Sequence, residues 1–264
     1  MTAAHPRARA VAARRWRDGV FETAEVPVVR EIPVTLRLNG REIITLLASD
    51  DALDFLAAGF LKAEGFVERR EQFAAIRVDP ASGTVEVEAT AVDQLAERLL
   101  ERRTVTSGCG KGTTFTHAID AIQARRAPPG PRVSAAQVRQ LIHGLLHGSE
   151  LYRVAGGVHS AALATPAEIV IFRDDIGRHN AVDKIHGECF LRGIPVEDKI
   201  LLTTGRVSSE ILVKAAKLGV AVLVSRSAPT DLALDLAGRT GITVVGQVRG
   251  GGLTVYTGPE RVTA

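Results

Sequence analysis

The sequence predicts a layered α/β domain that follows a smaller α+β domain. From residue 169 to 257, short apolar runs that suit buried strands alternate with segments of helical periodicity. Between residues 23 and 89, two hairpin patterns flank one amphipathic helix. The first 20 residues show no periodicity and are expected to form a tail. We therefore divide the chain into four parts: a disordered tail (1–20), an α+β domain (21–103), a cysteine loop with linker (104–133) and an α/β domain (134–264).

The smaller domain is predicted from alternation and turn residues. Apolar residues alternate through 26–46 around Asn39-Gly40, a dipeptide typical of two-residue hairpin turns. The polar segment 49–51 (S-D-D) is expected to cap a helix over residues 52–63. The next predictions are a second hairpin, 73–78 with 84–89, and a short helix, 92–100.

The larger domain begins after the proline-rich linker 127–131, which cannot continue a helix. A further helix is expected upstream, at 116–122. Ser134 is predicted to cap a helix over 135–147, whose apolar residues share one face. The remaining predictions are strands at 158–164, 169–173, 200–204, 220–225, 242–247 and 253–257, with helices at 176–191, 208–218 and 229–239.

Composition limits the class of protein. The 264 residues carry a net charge of +3 and only two cysteines, so a disulfide-dense secreted scaffold is excluded. No apolar run approaches the roughly 20 residues of a membrane span. The basic residues do not form the pattern of a nucleic-acid-binding protein. We expect a cytoplasmic protein with neither membrane nor nucleic acid as a partner.

Cys109 lies in a glycine-rich loop, between Gly108 and Gly110, with Lys111 next. Clustered backbone amides and a nearby cation favour the thiolate, the reactive form of cysteine. The loop therefore predicts a functional sulfur, with Lys111 in a supporting role; the alternative is a tight turn with an incidental cysteine. Cys189 lies in a mixed helix and is expected to be a packing residue.

The segment 174–184 (D-D-I-G-R-H-N-A-V-D-K) joins a predicted strand to a predicted helix. Helix N-termini attract anions, and Arg178 and His179 would strengthen such a site. Asp183 lies one helical turn after His179 and is expected to fix its tautomer, with Asp175 as a further supporting residue. The alternative is a solvated first turn with an ordinary ion pair.

Two other turns have the composition of anion-binding loops. A small turn after the strand at 200–204 leads into a capped helix, although simple capping would also explain its serines. Its candidate ligand contacts are Thr204, Gly205, Arg206 and Ser208. A triple glycine near the C-terminus would allow close backbone approach to a phosphate or a flat ring, or else forms a flexible hairpin loop. Its candidates are Gln247, Val248, Arg249, Gly250, Gly251 and Gly252.

His159 stands alone on a predicted strand, the setting of a structural histidine, and is kept as a supporting residue. No C-x-x-C motif accompanies it, so no metal site is predicted. A zinc-dependent nucleoside deaminase would need such a site. That class of hydrolytic enzyme is therefore the least favoured of the functions considered.

Over residues 23–262 the chain resembles the formate dehydrogenase accessory protein family (FdhD-type sulfurtransferases). The resemblance rests on the motif at 174–184 and on several others in matching order. These are G-G-V-H-S-A-A-L at 156–163, T-T-G-R-V-S-S-E at 203–210, S-R-S-A-P-T at 225–230 and the Cys109 loop.

The resemblance implies a sulfur relay. A loop cysteine, Cys109 here, takes persulfide sulfur from a cysteine desulfurase and passes it to the bis(molybdopterin guanine dinucleotide) cofactor, which is then inserted into formate dehydrogenase. The residues at 247–252 would contact the guanine dinucleotide. The implied fold is a cytidine-deaminase-like α/β domain with a smaller N-terminal domain, and the implied assembly is a homodimer.

One departure from the family pattern concerns the loop. Well-known members carry C-G-x-C, whereas this chain has Gly112 at the second cysteine position. A mechanism with two thiols inside the loop is therefore absent. Either a single persulfide is enough, or the chain is a weaker sulfur donor, or it is a cofactor-binding chaperone that transfers no sulfur.

Overall fold

The computed structural model describes residues 5–93 and 126–264 in full, and only the backbone of 104–105 and 111–112. Cys109, the helix predicted at 116–122 and most of that predicted at 92–100 lie outside the described residues. The short pairs at 104–105 and 111–112 are antiparallel, with Val105 opposite Lys111.

The chain opens with a hairpin of two ten-residue strands, β1 (Ala8–Arg17) and β2 (Val20–Val29). The expected tail is therefore wrong from residue 8 onward. Asp18 and Gly19 both have positive φ, 48° and 89°, as a tight hairpin turn requires. Most of the ribbon is exposed, including Trp16 and Phe21. Because neither face is fully buried, the strands carry no clear apolar alternation.

The smaller domain is a four-stranded sheet with one helix. Its elements are β3 (Ile32–Leu38), β4 (Arg41–Ala48), α1 (Leu53–Glu64), β5 (Phe73–Asp79) and β6 (Thr84–Ala89). The strand order is β4-β3-β6-β5, and both predicted hairpins are confirmed. The predicted cap of α1 is wrong, because the N-cap residue is Ala52, in a left-handed conformation with no side-chain cap.

The larger domain contains a six-stranded mixed sheet. Three two-residue strands precede it in the chain: β7 (Thr104–Val105), β8 (Lys111–Gly112) and β9 (Val133–Ser134). The strands of the six-stranded sheet are β10 (His159–Ala164), β11 (Ile169–Asp175), β12 (Ile200–Thr203), β13 (Val222–Ser225), β14 (Thr243–Arg249) and β15 (Gly252–Thr257). The strand order is β11-β10-β12-β13-β14-β15, in which β12, β13 and β14 are parallel. A last short strand, β16 (Val262–Thr263), pairs with β9.

Helices cover both faces of this sheet. They are α2 (Ala135–Gly148), α3 (Glu150–Ala155), α4 (Arg178–Arg192), α5 (Ser209–Leu218) and α6 (Asp231–Thr240). One core cluster joins α2 to one face, and another joins α4, α5 and α6 to the other face. The predicted alternation of strands and helices is confirmed, and Ser134 caps α2 through its hydroxyl as expected.

The two domains meet where α1 crosses α4 at two glycines. A Cβ atom on Gly187 would overlap the backbone oxygen of Phe55, and one on Gly59 would overlap that of Asp183. Only glycine permits so close an approach of two helix backbones. No helix of the described residues is long and apolar enough to cross a membrane.

Candidate functional site

The strand-to-helix segment 174–184 divides its side chains between two clusters. The first, here called the junction network, consists of Arg7, Ser49, Asp51, Asp174, Asp175 and Lys184. The second, here called the edge cluster, lies at the carboxyl end of β12 and consists of His159, Arg178, His179, Thr204 and Ser208.

The junction network is centred on the fully buried pair Lys184 and Asp175, whose Nζ and Oδ2 atoms are 2.8 Å apart. Asp175 also accepts hydrogen bonds from the Gly177 amide at 2.9 Å and the Ser49 hydroxyl at 3.0 Å. Such a carboxylate is saturated by its partners. The structure thus places Asp175, a predicted supporting residue, in an anchor between the domains.

Arg7 extends this network to the N-terminal segment. Its Nη1 atom is 2.5 Å from Oδ1 of Asp174 and 2.8 Å from Oδ1 of Asp51. Lys184 donates to the same Asp51 oxygen at 3.0 Å. Ser49 and Asp51, expected as caps of α1, are therefore engaged with the larger domain instead.

In the edge cluster, Arg178 packs against the turn after β12. A Cβ atom on Gly205 would lie 2.9 Å from Cβ and 3.1 Å from Cδ of Arg178. Glycine is therefore required for the arginine stem to lie there. The Nε and Nη2 atoms of Arg178 are buried and have no hydrogen-bond partner among the described residues. Buried donors of this kind are costly unless a ligand satisfies them.

Ser208 stands at the N-cap position of α5 and is 7% exposed. Its hydroxyl makes no capping hydrogen bond, and its Oγ atom has no partner in the part of the chain that the structure describes. The simple capping alternative for Ser208 is therefore wrong. Its neighbour Arg206 is exposed on the outside of the turn.

His159 and Thr204 form the other side of the edge cluster. The Thr204 hydroxyl accepts a hydrogen bond from the Ser160 amide at 3.0 Å and lies 3.4 Å from Nδ1 of His159. Burial lowers the pKa of His159, and the positive charge of Arg178 lowers it further. The imidazole is thus held neutral beside the guanidinium.

Two polar side-chain contacts connect α4 to α5. Nε2 of His179 is 3.1 Å from Oε2 of Glu210, and Nζ of Lys214 is 2.6 Å from Oδ1 of Asp183. The prediction that Asp183 holds the His179 tautomer is wrong, because a neighbouring helix supplies a different partner to each. Burial opposes the charge of Lys214, but the combined attraction of Asp183, Glu64 and Glu210 outweighs it, so the pKa of Lys214 is raised.

The triple-glycine turn faces a different place, on the side of the sheet that carries α2. A cavity of about 450 Å³ lies between α2 and this turn. The polar and glycine residues lining it are Arg139, Gln140, His143, Arg249, Gly250, Gly251 and Gly252. Two arginines and exposed glycine backbone are suited to phosphate groups.

The remaining predicted residues of that turn have structural positions. Gln247 has a φ of 54° at an irregularity in the β14–β15 pairing, and its amide donates to Ser227. It is not among the residues that line the cavity. Val248 is 5% exposed and belongs to the core beneath α2, although it also borders the cavity.

The two cysteines were predicted to have different roles, packing for Cys189 and sulfur chemistry for Cys109. Cys189 packs in the core, and burial raises the pKa of its thiol to about 12. The predicted packing role of Cys189 is confirmed. Cys109 and the side chain of Lys111 lie outside the described residues, so their predicted roles stay predictions.

Comparison with known sequences places this arrangement in a family. The sequence model of the FdhD/NarQ family matches residues 29–263. The chain belongs to that family. It is 41% identical over 249 residues to the sulfur carrier protein FdhD of Bacillus pumilus strain SAFR-032, in an alignment that covers 94% of this chain and 95% of the relative. It is 38% identical over 248 residues to the protein of the same name from Bacillus subtilis strain 168, again over 94% of this chain and 95% of the relative.

A solved structure has the same overall architecture. The crystal structure of a putative formate dehydrogenase accessory protein from Desulfotalea psychrophila superimposes with a TM-score of 0.80 and 27% identity, over 97% of this chain and 100% of that chain. The resemblance noted from the sequence motifs is therefore confirmed at the level of the family and of the mixed α/β fold.

Sequence reasoning missed the α2 residues that line the cavity. Arg139, Gln140 and His143 recur along one exposed stripe of an otherwise ordinary amphipathic helix. Nothing in that pattern separates a ligand-facing stripe from a solvent-facing one. Only the position of the β14–β15 turn against α2 shows the difference.

Proposed function

We propose that this chain is a sulfur carrier of formate dehydrogenase maturation, and that Cys109 carries the sulfur as a persulfide. In the loading step, the Cys109 thiolate attacks the outer sulfur of a persulfide on a cysteine desulfurase. A new S–S bond forms, the bond in the donor breaks, and the donor cysteine leaves as a thiolate. Lys111 and the loop amides stabilise the anionic sulfur.

The position of Cys189 carries this proposal. The chain has two cysteines, and the one that the structure describes is buried in the core with a strongly raised pKa. A thiol of that kind is inert as a nucleophile. In a family whose relatives are named sulfur carriers, this supports Cys109 as the residue that carries the sulfur.

The substrate that receives the sulfur is, in this proposal, the bis(molybdopterin guanine dinucleotide) cofactor. The cavity between α2 and the β14–β15 turn supports this assignment, because Arg139, Arg249 and the triple glycine suit a phosphate-bearing nucleotide. The edge cluster offers unsatisfied donors on the other side of the same sheet. The proposal includes a homodimer and the cytidine-deaminase-like arrangement expected of the larger domain, and it names formate dehydrogenase as the recipient of the loaded cofactor.

The loading step is tested by intact-protein mass spectrometry after incubation with a cysteine desulfurase and free cysteine. The wild-type chain should gain the mass of one sulfur atom, and Cys109→Ser should gain none. Cys189→Ala is the matched control and should gain sulfur like the wild type. A sulfur adduct that persists in Cys109→Ser would contradict the proposal.

Gly112 at the second cysteine position favours one alternative, a cofactor-binding chaperone that transfers no sulfur. The two functions differ in cells that lack the native protein. If Cys109→Ala restores full formate dehydrogenase activity there, the chaperone is correct and the relay is not.

A further inference from the structure

The first turns of α4 and α5 face each other across the end of β12. Arg178 meets Gly205 just before α5, and His179 meets Glu210 in its first turn. Ser208 lies between these two contact points in the chain. Arg178 packs its stem on the turn that leads to Ser208, and both side chains retain buried atoms without a partner among the described residues.

The orphaned atoms of Arg178 are the two that matter for recognising an anion. The N–H bonds of Nε and Nη2 run parallel along one edge of the guanidinium and form the fork that binds two oxygens of a carboxylate or phosphate. Ser208 adds a hydroxyl donor, and the ten-residue helix α5 adds the positive end of its dipole. The neutral His159 can donate from its ring without adding charge.

We propose that Arg178, Ser208 and the N-terminus of α5 form a binding site for one oxyanion of the phosphate class. The site is separate from the cavity beside α2, which lies on the opposite face of the sheet. The Nε–Nη2 edge of Arg178 makes no hydrogen bond within the described residues, and this edge is the part of the guanidinium that would bind the ligand. The site itself follows from side-chain geometry, whereas identifying its ligand as the pyrophosphate of the cofactor rests on the proposed function.

The binding test uses inorganic pyrophosphate and the full-length chain. The dissociation constant is measured by ³¹P NMR titration and by the rise in unfolding temperature that a ligand of the native state produces. Arg178→Gln should weaken binding at least tenfold, and Ser208→Ala should weaken it about threefold. Arg178→Lys, which keeps the charge but loses the fork, should also bind at least threefold more weakly.

Arg239→Gln is the matched control for net charge. Arg239 is exposed in the last turn of α6, and its loss should leave pyrophosphate affinity unchanged. Equal affinities in the wild type and Arg178→Gln would overturn the proposal, as would the absence of any binding to the wild type. A loss of affinity in Arg249→Gln alone would also overturn it, because the anion would then lie in the cavity beside α2.

Parallel titrations with orthophosphate and GDP identify the source of the anion. Tighter binding of GDP that is weakened by substitution of either Arg178 or Arg249 would indicate that one nucleotide-bearing ligand contacts both sites. Equal binding of orthophosphate would indicate a site for a free anion. The sulfur adduct on Cys109 is measured on the same samples, so failure of the relay and failure of this site are read separately.

Discussion

The junction network and the edge cluster both draw on the segment 174–184, yet they differ in how their polar atoms are satisfied. In the junction network, the Lys184 ammonium and the Asp175 carboxylate are fully buried and surrounded by partners. In the edge cluster, Arg178 and Ser208 keep buried atoms that have no partner among the described residues.

This difference separates a structural role from a binding role. A saturated buried network gains little from a ligand but loses much when one member is removed. Unsatisfied donors already incur the cost of burial, and a ligand that accepts from them recovers it. Substitutions in the two clusters should therefore affect different quantities: the free energy of unfolding in one, and anion affinity in the other.

Lys184→Met gives the largest expected effect. Removing the ammonium leaves the buried carboxylate of Asp175 without its counter-charge, and the free energy of unfolding should fall by about 3–5 kcal/mol. Urea unfolding followed by circular dichroism measures it. Arg77→Met, which breaks the exposed pair with Glu88, is the control and should leave the midpoint nearly unchanged. A wild-type midpoint for Lys184→Met would show that the junction network adds nothing to stability.

The glycine contact between α1 and α4 supports the same junction. Gly187→Ala forces a methyl group into the backbone of Phe55, and the free energy of unfolding should fall by about 3 kcal/mol. Gly238→Ala in α6 is the matched control, since no atom lies within 4 Å of its added Cβ. That substitution should raise stability by about 0.5–1 kcal/mol. Equal effects of the two changes would rule out helix contact as the cause.

His186 is a buried histidine of α4 that should make the stability of the protein depend on pH. Burial, with help from Lys214, Lys62 and Lys217, lowers its pKa to about 3, and Nδ1 has no partner among the described residues. Below about pH 6.5 the histidine is protonated in the unfolded chain but stays neutral in the folded chain. The free energy of unfolding therefore decreases as the pH is lowered.

The loss from His186 should reach about 2 kcal/mol at pH 5. Urea unfolding at pH 5, 6 and 7 measures the slope, which should become shallower in His186→Leu. His147→Gln, at an exposed position on α2, should keep the wild-type slope. If His186→Leu is as pH-sensitive as the wild type, other groups cause the dependence.

Arg178→Gln gives the smallest expected change in stability. Because its Nε and Nη2 atoms make no hydrogen bond within the described residues, their loss should alter the free energy of unfolding by less than about 0.5 kcal/mol. The measurement is the same urea titration used for Lys184→Met. A loss as large as that of Lys184→Met would place Arg178 in the structural group and remove the contrast between the clusters.

Local patterns predicted much of this molecule. The turn at Asn39-Gly40, the cap at Ser134 and the alternation from β11 to β15 all lie where the sequence places them. These features depend on residues close together in the chain. The hairpin β1–β2 was missed although Asp18-Gly19 is a typical hairpin turn, because its exposed strands lack apolar alternation.

The side-chain partners of two aspartates were predicted wrongly from the sequence. Asp183 lies one turn from His179, yet it pairs with Lys214, 31 residues away in the chain. Asp51 has the position of a helix cap, yet it binds Arg7 and Lys184. In both cases a charge from a distant element approaches more closely than the local candidate, and burial strengthens that interaction.

The sequence by itself determined most of the order of strands and helices, the family, and the short segments that hold the polar residues, because periodicity, turn residues and motifs are local properties. The division of one motif between a saturated junction and an unsatisfied edge depended on the tertiary structure. It arises because α1 packs on one side of α4 while α5 and the end of β12 lie on the other. The contacts on the first side join residues more than a hundred positions apart, such as Ser49 and Lys184, and those on the second join residues such as Asp183 and Lys214, which are 31 apart. Together they decide which buried donors are left for a ligand.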